Sequence, residues 1–313
     1  MDPILPPQAV ALDTAARQYG VLSWDQAKHI GLTKSDVRRF VRNGNWRRVY
    51  PRVYAVLALV DATDPGLRLR AKAMAAQLAL GEASFVGGRT AVRLWGIQGL
   101  PEGDLHETHM VIPARGTQRH IAGITLHTWK TRPEQVTTID GVLRSATPQR
   151  ALADTLLDVD RETAVCLMDS ALNKGLIGAE EIEEVERVNW RRRGSVRLRG
   201  WWRSADGRAE SPLETRVRLV CVDGGLPPTD LQHRFFDGRG RCIARVDFWW
   251  EDLDLIGEAD GIGPHGSPRV LARDRTRQNA LQLWHPSTRI VRFTWGDLNR
   301  PEYILATVAR HRA

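Results

Sequence analysis

Cysteine is scarce in this chain: three in 313 residues, at Cys166, Cys221 and Cys242, with no CxxC pair among them. An odd number without close spacing argues against a disulfide scaffold and against a structural zinc module, and predicts buried thiols. Long hydrophobic runs are missing too; none approaches the roughly 18 uninterrupted apolar residues of a membrane span. The start, MDPILPPQ, lacks the basic region followed by an apolar stretch that marks a secretion signal. No membrane partner and a cytoplasmic location are the expectations. Lysine is absent from everything after Lys174, a gap that bears on chemistry.

What the chain has is positive charge. The formal net charge is +8, carried mostly by arginine, whose forked donors suit phosphate better than a point charge does. Nucleic acid is therefore the favoured partner class, against the plainer reading of a basic surface that keeps the protein dissolved. An apolar content of 42% over 313 residues leaves room for two or three ordinary packed domains.

The first 56 residues read as three short helices and a hairpin. Ala9 to Tyr19 ends at Gly20; Ser23 with Gln26 three residues on opens a second helix that Gly31 closes; Thr33 with Asp36 opens a third that Gly44 closes. Two helices joined by a glycine-containing turn form a helix-turn-helix, whose second helix enters the DNA major groove. Here that helix carries Lys34, Arg38, Arg39 and Arg42, while Val37, Phe40 and Val41 form its expected apolar stripe. The following NWRRVYPRVYAV reads as a two-stranded wing with Arg47, Arg48 and Arg52 near its turn. Seven basic residues and one acid between Lys34 and Arg52 make a DNA-binding face the expectation.

The middle of the chain alternates alanine-rich helical stretches with short strand-like runs, THMVIP, ITLHTW and VTTIDGVLRSAT, which suggest a small sheet. His106, His109, His120 and His127 fall in or beside it, at spacings that fit no standard zinc pattern, so structural or surface roles are expected. Thr147-Pro148 starts one helix, another runs from Arg161 to Lys174, and EEIEEVERVNWRRRG places acids first and arginines last, as a helix dipole favours. From Arg187 to Arg203 come seven arginines and no acid, interleaved with Trp190, Trp201 and Trp202. Such a stretch can track a phosphate backbone; packing of the tryptophans in a domain interface explains it equally well.

The richest stretch is ARVDFWWEDLDLIGEADG, residues 244 to 261. Cys242 to Trp250 and Leu253 to Asp260 read as a hairpin across the charged Glu251-Asp252 break. With Asp252-Leu253 as the tight loop, alternation puts Asp247 opposite Glu258, with Asp260 on the same face. Like charges directly opposite repel, and a hard cation ligated by oxygen, Mg²⁺ first, would hold them together. The competing reading is that Asp247 and Asp260 merely end strands and Glu258 pairs with an arginine. Upstream, Ser211, Pro212 and Glu214 spell a helix start with a capping box.

Taken together, ESPLETR (210–216), RVDF (245–248), GEADG with His265 close behind, RDRTRQNAL (273–281) and RIVRFTW (289–295) resemble the very-short-patch-repair-like branch of the PD-(D/E)XK nuclease superfamily. That resemblance implies an α/β restriction-endonuclease-like fold in which Glu214 (or Glu210), Asp247 and Glu258 gather around Mg²⁺, or Mn²⁺, beside a phosphodiester, with Asp260 and His265 accessory. It departs from the superfamily in one place. The lysine usually found two residues after the second acid is Asp260 here, so a cation at the site would have to be Arg273, Arg275, Arg277 or His265. RRVYPRVYAV and TAVRLWGI (90–97), in the order of elements around them, resemble the AbiEi antitoxin family of transcriptional regulators over roughly residues 5–175. That implies a DNA-binding repressor, often beside a nucleotidyltransferase toxin.

The sequence thus predicts a multidomain α+β protein: a winged helix-turn-helix over 5–58, a middle α+β domain over 59–178, a basic helical linker over 179–204 and a PD-(D/E)XK nuclease-like domain over 205–313. The expected function is DNA binding with Mg²⁺-dependent phosphodiester hydrolysis. The alternative is a non-catalytic AbiEi-type repressor or antitoxin with a degenerate nuclease fold.

Overall fold

A computed structural model describes residues 5–61, 63–101, 107–113, 121–261 and 268–311, with the backbone alone for 268–274. His106, His120 and His265, and the side chain of Arg273, lie outside the described residues. The chain is mixed α and β and forms two compact units, one of residues 1–158 with 180–195, the other of 159–179 with 196–313. These units divide the chain elsewhere than the boundaries drawn at 178 and 205. No helix among the described residues is long and apolar enough to cross a membrane.

The first unit begins with α1 (Pro7–Arg17), β1 (Val21–Ser23), α2 (Trp24–His29), α3 (Lys34–Arg42), β2 (Trp46–Tyr50) and β3 (Val53–Val56). Both expected capping boxes form: Ser23 with Gln26 and Thr33 with Asp36 exchange side-chain and backbone bonds. Gly44 then takes the left-handed φ of 74° that ends α3 and turns the chain into β2. Ala11, Ala15, Leu22, Leu32, Val37, Phe40, Trp46 and Val56 share one core, with the Phe40 and Trp46 rings 5.0 Å apart. Val41 does not join it; it is 37% exposed. Val37 and Phe40 already take the buried face of α3, and the next residue falls past its edge. Strands β2 and β3 pair antiparallel, and β1 adds to β3 to make a three-stranded sheet in the order β1-β3-β2.

The rest of this unit contains α4 (Pro65–Leu80), β4 (Phe85–Val86), α5 (Gly88–Leu94), β5 (Thr108–Val111), β6 (Ile124–His127), β7 (Val136–Ile139), β8 (Leu143–Ala146), α6 (Pro148–Leu156) and α8 (Ala179–Asn189). Between α6 and α8 in sequence comes α7 (Arg161–Asn173), which belongs to the second unit. The five strands form one mixed sheet in the order β6-β5-β4-β8-β7. A buried ion triad ties α8 to α6: Asp154 accepts from Arg150 at 2.7 Å and from Arg192 at 2.6 Å. Asn189 adds a bond to the Ala153 carbonyl at 3.0 Å.

The second unit adds α9 (Pro212–Asp223), β9 (Asp230–Phe236), β10 (Cys242–Trp250), β11 (Leu255–Ala259), α10 (Pro268–Trp284), β12 (Arg289–Phe293) and α11 (Pro301–Ala309). Its sheet runs β12-β11-β10-β9, antiparallel except for the parallel β11–β12 pair. Parallel neighbours require a crossover, and α10 supplies it. Leu213, Val217 and Cys221 of α9 and Ile304 and Val308 of α11 pack with Phe248, Trp250, Leu255 and Phe293. Leu281 of α10 joins a second cluster with Phe235, Val246 and Ile256. Helix α7 is fastened to α9 by Asp169, which accepts from Thr215 Oγ1 and Arg218, each at 2.8 Å, and from the Asp206 backbone at 2.6 Å.

The thiols divide. Cys166 and Cys221 are buried, and burial pushes each up to about 12. Cys242 is exposed, contrary to expectation. It opens β10 at the end of a turn, where the side chain meets solvent rather than core.

Candidate functional site

Three acids from separate elements converge in the second unit. The register Phe248–Gly257, Trp249–Ile256, Trp250–Leu255 continues by one step to put Asp247 of β10 opposite Glu258 of β11, as alternation predicts. On its other side Asp247 lies between the pairs Val246–His233 and Phe248–Leu231, which brings Gln232 of β9 alongside it. Glu214 reaches in from the first turn of α9. One amide nitrogen, Gln232 Nε2, bridges two of the acids, donating to Glu214 Oε2 at 2.9 Å and to Asp247 Oδ1 at 3.1 Å. The other Asp247 oxygen accepts from the Ala259 backbone N–H at 2.8 Å.

Glu214 does more than cap its helix. Ser211 Oγ accepts from the Glu214 N–H at 3.2 Å, as a capping serine does. The reciprocal half of the expected box differs: the Glu214 carboxylate takes the Ser211 hydroxyl at 2.7 Å and the Glu210 N–H at 2.9 Å. The carboxylate thereby points past the helix start toward Gln232. Glu210, the substitute for Glu214, is held instead by a bidentate ion pair with Arg245, both contacts 2.7 Å.

Glu258 is paired with Arg277 of α10 at 2.7 Å, and the same guanidinium donates to the Arg245 carbonyl at 3.2 Å. Of Arg275 and Arg277, the two proposed arginines whose side chains are described, Arg277 is the one brought to the acids. Asp260 turns away to Arg292 at 3.1 Å, half exposed. Burial raises the pKa of Glu214, Asp247 and Glu258 above the ordinary carboxylate range. The Asp247 charge adds to the rise at Glu214 and Glu258, while Arg277 opposes it at Glu258.

Three oxygen-rich side chains at a sheet centre have the donor chemistry of a hard divalent cation. Among the described residues, however, no group of three His, Cys, Asp or Glu side chains stands ready to ligate. The Gln232 amide lies between Glu214 and Asp247, and Glu258 faces Arg277; both contacts must rearrange before all three acids can share an ion. Gln232 is the site residue that the sequence reading missed. Its only signal there is a polar residue in β9 at the position that pairs with Asp247.

The first unit holds a second candidate. Between α3 and the β2–β3 hairpin lies a groove of about 740 Å³ lined by Lys34, Arg38, Arg42, Arg48 and Arg52 around Trp24, Val37, Val41 and Tyr54. Arg39 and Arg47 are not among the residues lining it. Arg39 pairs with Asp36 at 3.0 Å and lies over the Phe40 ring; Arg47 is exposed. Arg52 also pairs with Asp25.

The described histidines of the middle region form a pair rather than a scatter. His109 Nδ1 meets His127 Nε2 at 3.0 Å, and His127 stacks on Trp129 with centroids 3.8 Å apart. Burial, then the neighbouring His109, lowers the His127 pKa from 6.5 to about 4. A depressed folded-state pKa contributes stability above the unfolded value and loses it as pH falls. The first unit should therefore weaken between pH 6.5 and about 4. His127→Phe, which keeps an aromatic ring on Trp129 but cannot charge, should flatten that part of a thermal-melt profile; an unaltered slope would remove His127 as its source.

No family model matches the chain. The uncharacterized proteins MT2308 and Rv2248 of Mycobacterium tuberculosis, from strains CDC 1551 and H37Rv, are each 31% identical to it over 284 residues, 90% of this chain and 97% of theirs. The chain belongs to their family. An aligned stretch of 284 residues is longer than either compact unit, so the family carries both units in one polypeptide. Among solved structures, the crystal structure of Rv2827c from Mycobacterium tuberculosis is 13% identical, covers 66% of this chain and 84% of its own, and has a TM-score of 0.36.

Proposed function

We propose that this protein binds DNA through the groove between α3 and the wing, read as a winged helix, and that the acid cluster is the centre of a PD-(D/E)XK-type Mg²⁺-dependent endonuclease. The observation that carries the reading is the convergence of Glu214, Asp247 and Glu258 from a helix start and two adjacent strands, Glu214 and Glu258 buried and Asp247 half-buried, with Gln232 bridging Glu214 and Asp247. Arg277 offsets the charge of Glu258 alone; drawing Glu214 and Asp247 from water beside it is costly, and such perturbed carboxylates cluster at functional centres.

Glu214, Asp247 and Glu258 would hold Mg²⁺ or Mn²⁺. When bound, the ion supplies charge stabilisation at a phosphate and a lowered pKa for an attacking water. The chain's own residues provide the rest. The Ala259 N–H and the Ser211 hydroxyl fix the carboxylates, and Arg277, always charged, can counter charge on a phosphate but cannot act as a base. Asp260, tied to Arg292, cannot supply the positive charge of the missing lysine.

That substitution favours a second reading, a non-catalytic AbiEi-type repressor or antitoxin that uses the same DNA groove, with a nucleotidyltransferase toxin as its partner. Plasmid and oligonucleotide cleavage by the purified full chain, with Mg²⁺ or Mn²⁺ and with chelator, separates the two. Metal-dependent cutting is the expected result. Tight binding with no cutting of duplex, mismatched or single-stranded substrates would move the assignment to the repressor.

A further inference from the structure

We propose that a cavity in the first unit, between the start of α6 and α8, binds a small phosphate monoester, with Arg150 gripping the phosphoryl group. The site is separate from the groove beside α3 and goes beyond the DNA-binding reading.

The cavity has a volume of about 1230 Å³ and is bounded by the segment 129–135, the first turn of α6 and part of α8. Lys130, Arg132, Arg150, Arg187 and Arg192 line it, against two acids, Glu134 and Glu184. Glu184 is paired with Arg187 at 2.8 Å, and Glu134 lies 3.9 Å from Arg132. The buried Asp154 accepts from both Arg150 and Arg192. Positive charge is left in excess. The start of α6 faces the same space, since Thr147 and Gln149 also line it, and the positive end of a helix dipole favours an anion there.

Arg150 carries the argument. Its side chain is only 6% exposed, so a donor left without a partner there is costly. A guanidinium has five N–H donors. Nε donates to Asp154 at 2.7 Å, and Nη1 donates to the Lys130 carbonyl at 2.9 Å and to the Gln135 side-chain oxygen at 3.0 Å. Nη2 has no partner among the described residues, yet it is not sealed from solvent. It opens on the cavity that Arg150 lines. The structural bonds therefore fix the guanidinium plane and leave two donors presented to an anion, in the geometry that suits phosphate oxygens.

The depth of that nitrogen selects the ligand. A terminal phosphoryl group presents three oxygens on a narrow stem and can reach a recessed donor; a phosphate within a duplex backbone is flanked by sugars on both sides. Trp129, half-buried, lines the same cavity and offers ring surface to an organic group carried by the phosphate. A nucleoside monophosphate is the probe of matching size and chemistry.

Calorimetric titration of the full chain with adenosine 5′-monophosphate (AMP), adenosine and inorganic phosphate tests this without DNA or metal. AMP should bind, inorganic phosphate should compete with it, and adenosine should bind at least about tenfold more weakly, lacking the charged acceptor. Arg150→Lys, which keeps a cation beside Asp154 but loses the planar fork, should weaken AMP at least about tenfold. Lys130→Glu, at an exposed position, should weaken it several-fold, and Arg38→Ala, in the groove beside α3, should leave it within about twofold. Adenosine binding as tightly as AMP, unchanged AMP affinity in folded Arg150→Lys, or no binding of AMP or phosphate at millimolar concentration overturns the proposal. If Arg150→Lys fails to fold, Lys130→Glu decides: affinity equal to wild type overturns it. A duplex with 5′-hydroxyl ends that displaces AMP equally from wild type and Arg38→Ala would assign the cavity to a nucleic-acid backbone and overturn it as well.

Discussion

Asp247→Ala is expected to lower Mg²⁺-dependent phosphodiester cleavage by about a thousandfold or more while leaving duplex affinity within about twofold. Asp247 is central to the cluster: Gln232 and Ala259 both donate to it, and Glu258 is its neighbour across the hairpin. If Asp247 holds the proposed ion, removing it forfeits several kcal/mol of transition-state charge stabilisation, and each ~1.4 kcal/mol is a factor of ten in rate. On the proposed reading, duplex affinity is carried by the cationic groove of the first unit, to which Asp247 does not belong. Single-turnover cleavage with fluorescence anisotropy in chelator measures both quantities, and equal cutting by the variant would sink the assignment. Folding can be checked in the same sample. Because burial raises the pKa of all three acids in the fold, their contribution to stability is fullest at acid pH and is lost as pH rises through the raised values. Asp247→Ala removes one of these charges, so its metal-free melting temperature should fall less than that of wild type as pH rises above the ordinary carboxylate values.

The second large effect is expected from the cationic groove of the first unit, the proposed DNA site. Replacing Arg38, Arg42 and Arg48 with alanine together should weaken binding roughly a hundredfold or more, since each charge-assisted hydrogen bond contributes about 1.5–3 kcal/mol. It should also reduce the slope of log affinity against log salt by about 2 to 3, close to one unit for each phosphate that is no longer neutralised. Arg39→Ala should do much less, because Asp36 and the Phe40 ring already engage that side chain. A salt slope unchanged in the triple variant, or a larger loss from Arg39→Ala, would place the DNA footprint on another surface.

Much of this was legible in the sequence where one local rule decides. The spacing of Ser23 with Gln26 and of Thr33 with Asp36 fixed two helix starts, and period-two alternation about Asp252-Leu253 gave the facing of Asp247 and Glu258. Elements that depend on partners were not legible. Val21–Ser23 and Phe85–Val86 are too short to show a period, and become strands only through pairing with β3 and with β5 and β8. Gln232 was invisible for a different reason: residue type does not encode the left-handed φ of 54° that this glutamine adopts. Arg277 could not be chosen over Arg275 until α10 brought its side chain to Glu258. Glu214 was half legible, as a capping residue, while the direction of its carboxylate depends on the Glu210 N–H and on Gln232.

The bond from Asp169 to Arg218 bears on how this protein can be cut into pieces. Helix α7 precedes residues 180–195 in the chain, yet it belongs with α9, where Asp169 neutralises the buried Arg218 guanidinium. A fragment starting at 205 keeps Arg218 and discards Asp169. Stranding a buried charge in this way costs about 3–5 kcal/mol, a large share of the roughly 5–15 kcal/mol that holds an ordinary domain together. Ending the other fragment at 178 removes Arg192 from Asp154 and leaves α6 without α8. Each fragment thus loses a partner of a buried charge, so inactivity in a truncated version would report lost scaffolding as readily as absent chemistry.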